Sequence, residues 1–183
     1  MERLKDKVVV VTGAARGIGA ALAKAFGTEG AKVVVTDINT TAETVSAIKS
    51  AGGQALGVSM DVTSNDDIGA MVRAAEQAFG SIECLLSNAG LFGNIRLKPF
   101  WELSEDEWDL VMRVDVHGGF QVTKGVLPSM RRRGRGKIVN ISSGTVFHGG
   151  VGHSGRLTTC LDNCFCTNRR SRFRSRARPP AVR

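Results

Sequence analysis

Three glycines, Gly13, Gly17 and Gly19, carry the densest chemistry in this sequence. They follow the β-branched run Val8 to Val11 and lead into an alanine-rich stretch, Ala20 to Phe26. A buried strand, a glycine turn and a helix N-terminus in that order make an anion site. The first helical N–H groups lack partners, the helix dipole adds partial positive charge, and glycine lets a phosphate approach the backbone. The spacing is GxxxGxG rather than GxGxxG, and its weight comes from its place between strand and helix. Asp37, Asp61 and Asn88 each close a later apolar run, and Ser142-Ser143 closes a fifth. A carboxylate at a strand end, as at Asp37, accepts hydrogen bonds from sugar hydroxyls.

These residues need elements that bring them to one place. Val8 to Val11 reads as a strand buried on both faces and Ala20 to Phe26 as the helix after it. Ala31 to Thr36, Gln54 to Met60, Ile82 to Ser87 and Lys137 to Ser142 supply four more strands. Helices are predicted over Thr41 to Ser50, where Gly52-Gly53 stops the chain, and over Asn65 to Phe79, capped by Ser64 with Asp66 and Asp67 in the first turn. Ser104 to Glu107 has capping-box spacing, and helix is predicted from there towards Met130, broken near His117-Gly118-Gly119. Strand–helix alternation at this spacing predicts an α/β fold, a Rossmann-like doubly wound parallel sheet. Ligands of such sheets sit beyond the carboxyl ends of the strands, where Gly13, Asp37, Asp61, Asn88 and Ser142-Ser143 all fall.

At 183 residues the chain is long enough for one domain with a sizeable core. No apolar run approaches a membrane span and the charged start MERLKDK leads straight into a strand, so the expectation is a cytoplasmic protein with no membrane partner. Charge divides the chain: residues 1–155 are nearly neutral, whereas residues 156–183 hold eight arginines against Asp162 alone. Three of the four cysteines (Cys160, Cys164, Cys166) lie in that second part, and Cys84 sits in an apolar strand as a reduced core thiol would. The chain has no tyrosine.

The segments Thr12-Gly13-Ala14-Ala15-Arg16-Gly17-Ile18-Gly19, Asp61-Val62, Asn88-Ala89-Gly90 and Ile138 to Ser143 resemble the short-chain dehydrogenase/reductase family, NAD(P)-dependent oxidoreductases of alcohols and ketones. The resemblance covers residues 7–155. It implies that Gly13, Arg16, Gly17, Ile18 and Gly19 wrap the cofactor pyrophosphate, that Asp61 and Val62 contact adenine, and that Asn88, Ala89 and Gly90 line the path to the nicotinamide ribose. Asp37 stands 18 residues past Gly19, where a carboxylate accepts both ribose hydroxyls and repels a 2′-phosphate, which favours NAD over NADP. Arg16 argues the other way, since it pairs with phosphate.

For catalysis the resemblance implies a serine that holds the substrate oxygen, a tyrosine acid/base about thirteen residues on, a lysine four beyond it and an asparagine in the long helix. Ser143 is the serine. The asparagine slot holds Asp115, the tyrosine slot Arg156 and the lysine slot Cys160. Arginine does not give up a proton near neutral pH, so the signature runs to His153-Ser154-Gly155 and stops short of its acid. The expectation is a lineage that moves hydride between nicotinamide and a secondary alcohol or ketone, in a chain inactive alone. Homo-oligomers belong to the family and are not carried over to this chain.

Residues 156–183 show neither helical nor strand periodicity, and their Arg, Ser, Cys and Pro content resembles translation out of frame. The expected division is therefore a dinucleotide-binding unit over 1–155, truncated after the fifth strand, and a basic tail over 156–183. A zinc site from Cys160, Cys164, Cys166 and His148 or His153 lacks a paired CxxC knuckle, and no metal is expected. Arg169 to Arg178 with Phe173 offers an alternative: a non-catalytic nucleotide-binding or interaction module whose tail contacts a polyanion. Arg131-Arg132-Arg133 and Arg135 read as a helix end suited to its dipole. Without further strands the fifth becomes an edge with unpaired N–H and C=O groups, which predicts low stability or aggregation.

Overall fold

The computed structural model describes residues 3–91 and 100–143. Five strands, β1 (Val8–Thr12), β2 (Lys32–Asp37), β3 (Gln54–Ser59), β4 (Cys84–Ser87) and β5 (Lys137–Asn140), form one sheet in the order β3-β2-β1-β4-β5. Every pairing is parallel, with Val9 beside Val33 on one side and Cys84 on the other. The chain winds one way from β1 through β2 to β3 and the other way through β4 to β5, so the switch point lies between β1 and β4.

Both faces of β1 are covered, which is why its sequence is an unbroken β-branched run rather than an alternation. Val9, Val11, Val33 and Val35 meet Ala23 of α1 (Gly17–Thr28) and Ile48 of α2 (Ala42–Ser50). Val8, Val10, Val34 and Leu85 meet Ile68 and Met71 of α3 (Asn65–Phe79) and Val122 and Val126 of α5 (Gly119–Arg132). Each such valine or leucine contributes about 1.5–3 kcal/mol by leaving water. The core is therefore two layers divided by the sheet.

Several elements differ from the sequence expectation, each for a physical reason. The first helix begins at Gly17 rather than Ala20, so Gly17 and Gly19 lie in its first turn. β4 starts at Cys84, two residues late, because the Ile82 N–H is taken by the Ser129 hydroxyl at 3.0 Å. The long helix does not break near His117-Gly118-Gly119. It passes from α4 (Glu105–Val111) through a π-helical segment (Met112–Gly118) into α5 with helical backbone throughout. Gly118 answers a packing need: a Cβ there would stand 2.6 Å from Val62 Cγ2. The α5 end is more than a charged terminus, since Arg132 pairs with Glu76 and Arg133 with Glu83. β5 ends at Asn140 and is the sheet edge among the described residues, where Val139 is 43% exposed.

Candidate functional site

Each parallel strand delivers its last residues to the same rim, and the loops there are tied together by hydrogen bonds across long sequence distances. Asn88, just past β4, donates from Nδ2 to the carbonyl oxygens of Thr12 and Gly13, both at 3.0 Å. In return the buried Thr12 Oγ1 accepts from the backbone N–H groups of Asn88 and Ala89, both at 3.0 Å. Four bonds thus lock β4 to β1 at the switch point. Gly19 closes the arrangement. A Cβ on it would lie 2.2 Å from the Gly13 carbonyl oxygen and 2.5 Å from Asn88 Nδ2, so only glycine brings the first turn of α1 this close to the strand end.

The start of α1 has the features of an anion site. Its N-cap, Arg16, has extended backbone (φ −151°, ψ 177°) and makes no side-chain cap bond, which leaves the first helical N–H groups for a ligand. Gly17 opens the helix at φ +60°, and a Cβ placed on it would have no heavy atom within 4 Å, so its outer side is open space. Ile18 is 66% exposed beside it. Arg16 also lines a recess of about 290 Å³ against α1, with Lys24, Glu43 and Thr44.

Asp37, at the end of β2, holds the glycine loop from below. Its Oδ2 accepts from the Ala15 N–H at 3.0 Å, and its Oδ1 accepts from the backbone N–H and Nδ2 of Asn39, both at 2.9 Å. Ala14 N–H donates to Thr36 O at 3.0 Å and Thr44 Oγ1 donates to Ala15 O at 3.2 Å, so the loop is pinned at successive residues. Asp61 caps its own turn, Oδ1 accepting from the backbone N–H and hydroxyl of Thr63 at 2.8 Å. The Val62 side chain packs in the core against Gly118, so a ligand at this strand end meets Asp61 and backbone.

Asp115 lies in the π-helical segment, where its Oδ1 accepts from the Leu91 N–H at 2.8 Å. That bond draws the Asn88-Ala89-Gly90 turn against the helix, and a Cβ on Gly90 would stand 3.3 Å from the same oxygen. Ser143 is exposed, three residues past the end of β5 and on the same rim. His148, His153, Arg156, Cys160, Cys164, Cys166 and the basic run Arg169 to Arg178 lie outside the described residues. Burial pushes the Cys84 thiol up to about 11, so it remains protonated at neutral pH and is no nucleophile.

Gly13, Gly19 and Asn88 are therefore brought into one contact set, Asp37 joins it through Ala15, and Asp115 joins it through Leu91. The sequence reading named Thr12 and Ala15 only as part of the glycine motif, gave them no role, and missed Asn39. A buried threonine at the last position of a β-branched strand was the available signal for Thr12; Ala15 acts through its backbone and carries none.

Among the described residues no helix is long and apolar enough to cross a membrane, and no group of three or more His, Cys, Asp or Glu is placed to hold a metal ion. A family profile described as short chain dehydrogenase matches residues 7–155. The galactitol 2-dehydrogenase of Agrobacterium fabrum is 36% identical over 168 residues, 91% of this chain and 60% of that protein. The 2-(S)-hydroxypropyl-CoM dehydrogenase 3 of Xanthobacter autotrophicus is 41% identical over 145 residues, 77% of this chain and 55% of that one. The peroxisomal hydratase-dehydrogenase-epimerase of Neurospora crassa is 35% identical over 150 residues, 82% of this chain and 16% of that much longer protein. The chain spans 60% or less of each of these three relatives.

Proposed function

This chain belongs to the short-chain dehydrogenase family, whose members use NAD(P), and on that premise we propose that its strand-end rim binds NAD. The lineage's reaction is hydride transfer between the nicotinamide and a secondary alcohol or ketone. The observation that carries this reading is the approach of α1 to β1, with Gly19 against the Gly13 carbonyl and Asn88 fastening both strands beneath an uncapped helix start. Two negative phosphates there replace the missing partners of the first helical N–H groups. NAD rather than NADP is supported by Asp37, whose carboxylate at the end of β2 repels a 2′-phosphate. When bound, NAD(H) supplies the hydride acceptor or donor; the chain's own residues hold and orient it and exclude water.

The proton side of the reaction is what this chain lacks. Ser143 offers a hydroxyl to a substrate oxygen, but the chain has no tyrosine, and Arg156 and Cys160 stand in the acid and lysine slots. Without a tyrosine in the acid slot, the alkoxide that forms or collapses during hydride transfer lacks the proton donor that the family's signature supplies there. We therefore read residues 1–155 as a dinucleotide-binding unit that does not turn over by itself, working in the cytoplasm. Calorimetry with NADH and NADPH tests the first half, and a panel of secondary alcohols and ketones followed at the nicotinamide absorbance tests the second. Binding of NADH without turnover is expected. A folded chain that binds neither cofactor sinks the nucleotide reading, and turnover by this chain sinks the inactivity.

The eight arginines of residues 156–183 favour a second reading, a nucleotide-binding module that docks on a polyanion. Retention on heparin that disappears when residues 169–178 are deleted selects it, and retention indifferent to that deletion removes it.

A further inference from the structure

The Asp37 carboxylate is committed before any nucleotide arrives. Ala15 N–H takes one acceptor position on Oδ2, while the backbone N–H and Nδ2 of Asn39 take two on Oδ1. A carboxylate offers about four such positions, which leaves one, on Oδ2. The three donors are not equivalent. The two backbone donors belong to the pinned loop and to a tight turn, and moving either shifts main chain. The Nδ2 donor sits on an exposed side chain that reaches water by rotation alone.

A ribose presents two neighbouring hydroxyls, and each seeks its own acceptor position. One finds Oδ2. The second meets Oδ1 with both positions filled, and the only donor that leaves without disturbing backbone is the Asn39 amide. We propose that Asn39 is a specificity-determining residue: its side-chain amide occupies the acceptor position that the second ribose hydroxyl requires and weakens the grip on any nucleotide with a free 2′,3′-diol. This rests on the reading of the rim as a nucleotide site. Asn39 touches Asp37 rather than the reacting atoms, so it tunes binding and takes no part in chemistry.

The test is calorimetry of the full chain and of Asn39→Ala with NADH, ADP and 2′-deoxy-ADP. Removing the amide frees one hydrogen bond for the ribose, so NADH and ADP bind roughly 3- to 10-fold tighter to the variant. The 2′-deoxy nucleotide, with one hydroxyl for the position already open, binds both proteins alike. A general loosening of the loop would move all three ligands together. Asn39→Val removes the same amide and serves if the alanine variant does not fold. Unchanged or weaker ADP binding by the variant, or equal tightening of all three ligands, overturns the role of Asn39 while leaving the nucleotide site standing. A folded wild type that binds none of the three overturns the nucleotide reading and this inference with it.

Discussion

Gly19→Ala is the sharpest perturbation of the rim. The added methyl would sit 2.2 Å from the Gly13 carbonyl oxygen and 2.5 Å from Asn88 Nδ2. The first neighbour is backbone and the second is fixed by two 3.0 Å hydrogen bonds to Thr12 and Gly13, so no flexible side chain yields. Relief requires α1 to move off the end of β1, or Asn88 to give up its bonds. Overpacking of this kind costs about 1–3 kcal/mol, and the loss of one part-buried hydrogen bond adds about 1, for a total near 2–4 kcal/mol. Urea unfolding reads that cost directly, and NADH calorimetry on the folded variant reads the displaced helix start as a loss of at least about tenfold. Gly17→Ala is the control. Nothing lies within 4 Å of its Cβ, but its φ of +60° charges an L-residue about 1–2 kcal/mol, and the methyl projects into the space that phosphates are expected to fill. The two variants must therefore differ: Gly19→Ala loses stability and binding together, whereas Gly17→Ala loses binding out of proportion to stability. A Gly19→Ala protein as stable as wild type, or a Gly17→Ala protein that binds NADH undiminished, refutes the backbone-cradle reasoning.

Thr12→Val strips the one oxygen that accepts from both Asn88 and Ala89; leaving two part-buried N–H groups unpaired costs about 2–4 kcal/mol in urea unfolding, and Thr12→Ser recovers most of it. Ser129→Ala, at a side chain with 0% exposure, orphans the Ile82 N–H and removes the hydroxyl that bonds Glu76, and is expected to lower stability by about 1–3 kcal/mol; a denaturation midpoint equal to wild type would show that the Glu76–Arg132 pair suffices. For Cys84 the folded value of about 11 lies above the ordinary 9.0, so the unfolded chain releases its proton first and stability is lost as pH rises from about 9 through 11. Denaturation curves for Cys84→Ala, which lacks that titration, should fall less steeply over the same pH range, and a parallel fall in both proteins counts against it. In a chain with Cys160, Cys164 and Cys166 replaced by serine, thiol-reactive dye at pH 7.5 should label Cys84 slowly in the native state and fast in urea, and rapid native labelling would contradict its burial.

The fold was legible wherever the signal was local. Asn65–Phe79 with its Ser64 cap, and the Ser104 capping box, are written in residues three or four apart, and β1 is written in five successive β-branched side chains. What escaped was set at a distance. β4 begins late because the partner of Ile82 is 47 residues away. Gly118-Gly119 reads locally as a helix break, yet the helix continues, because the missing Cβ at Gly118 is required by Val62 from another strand end. The rim divides in the same way. Its glycines and Asp37 stand out by spacing, whereas the Thr12–Asn88 lock joins residues 76 apart and the Asn39 latch lies in a side chain with no motif to announce it.

The departure at Asp115 bears on how binding and chemistry separate in the proposed reading. The resemblance puts an asparagine there, and what the structure draws from the residue is an acceptor oxygen 2.8 Å from the Leu91 N–H. An amide oxygen and a carboxylate oxygen both accept that hydrogen bond, so this tie to the turn after β4 does not depend on which of the two residues stands there. Charge is what changes. A carboxylate beside a proton relay favours protonated neighbours and resists the negative charge that an alkoxide brings. The same holds on a larger scale for the missing tyrosine. Among the described residues, the rim contacts named above come from backbone amides and carbonyls and from the side chains of Thr12, Asp37, Asn88 and Asp115. The family's proton transfer rests on single side chains at fixed spacing after β5, and on the reading proposed above Arg156 in the acid's slot does not supply it. On the proposed reading this chain is therefore expected to hold a dinucleotide without turning it over, the outcome that NADH calorimetry and a secondary-alcohol panel check together.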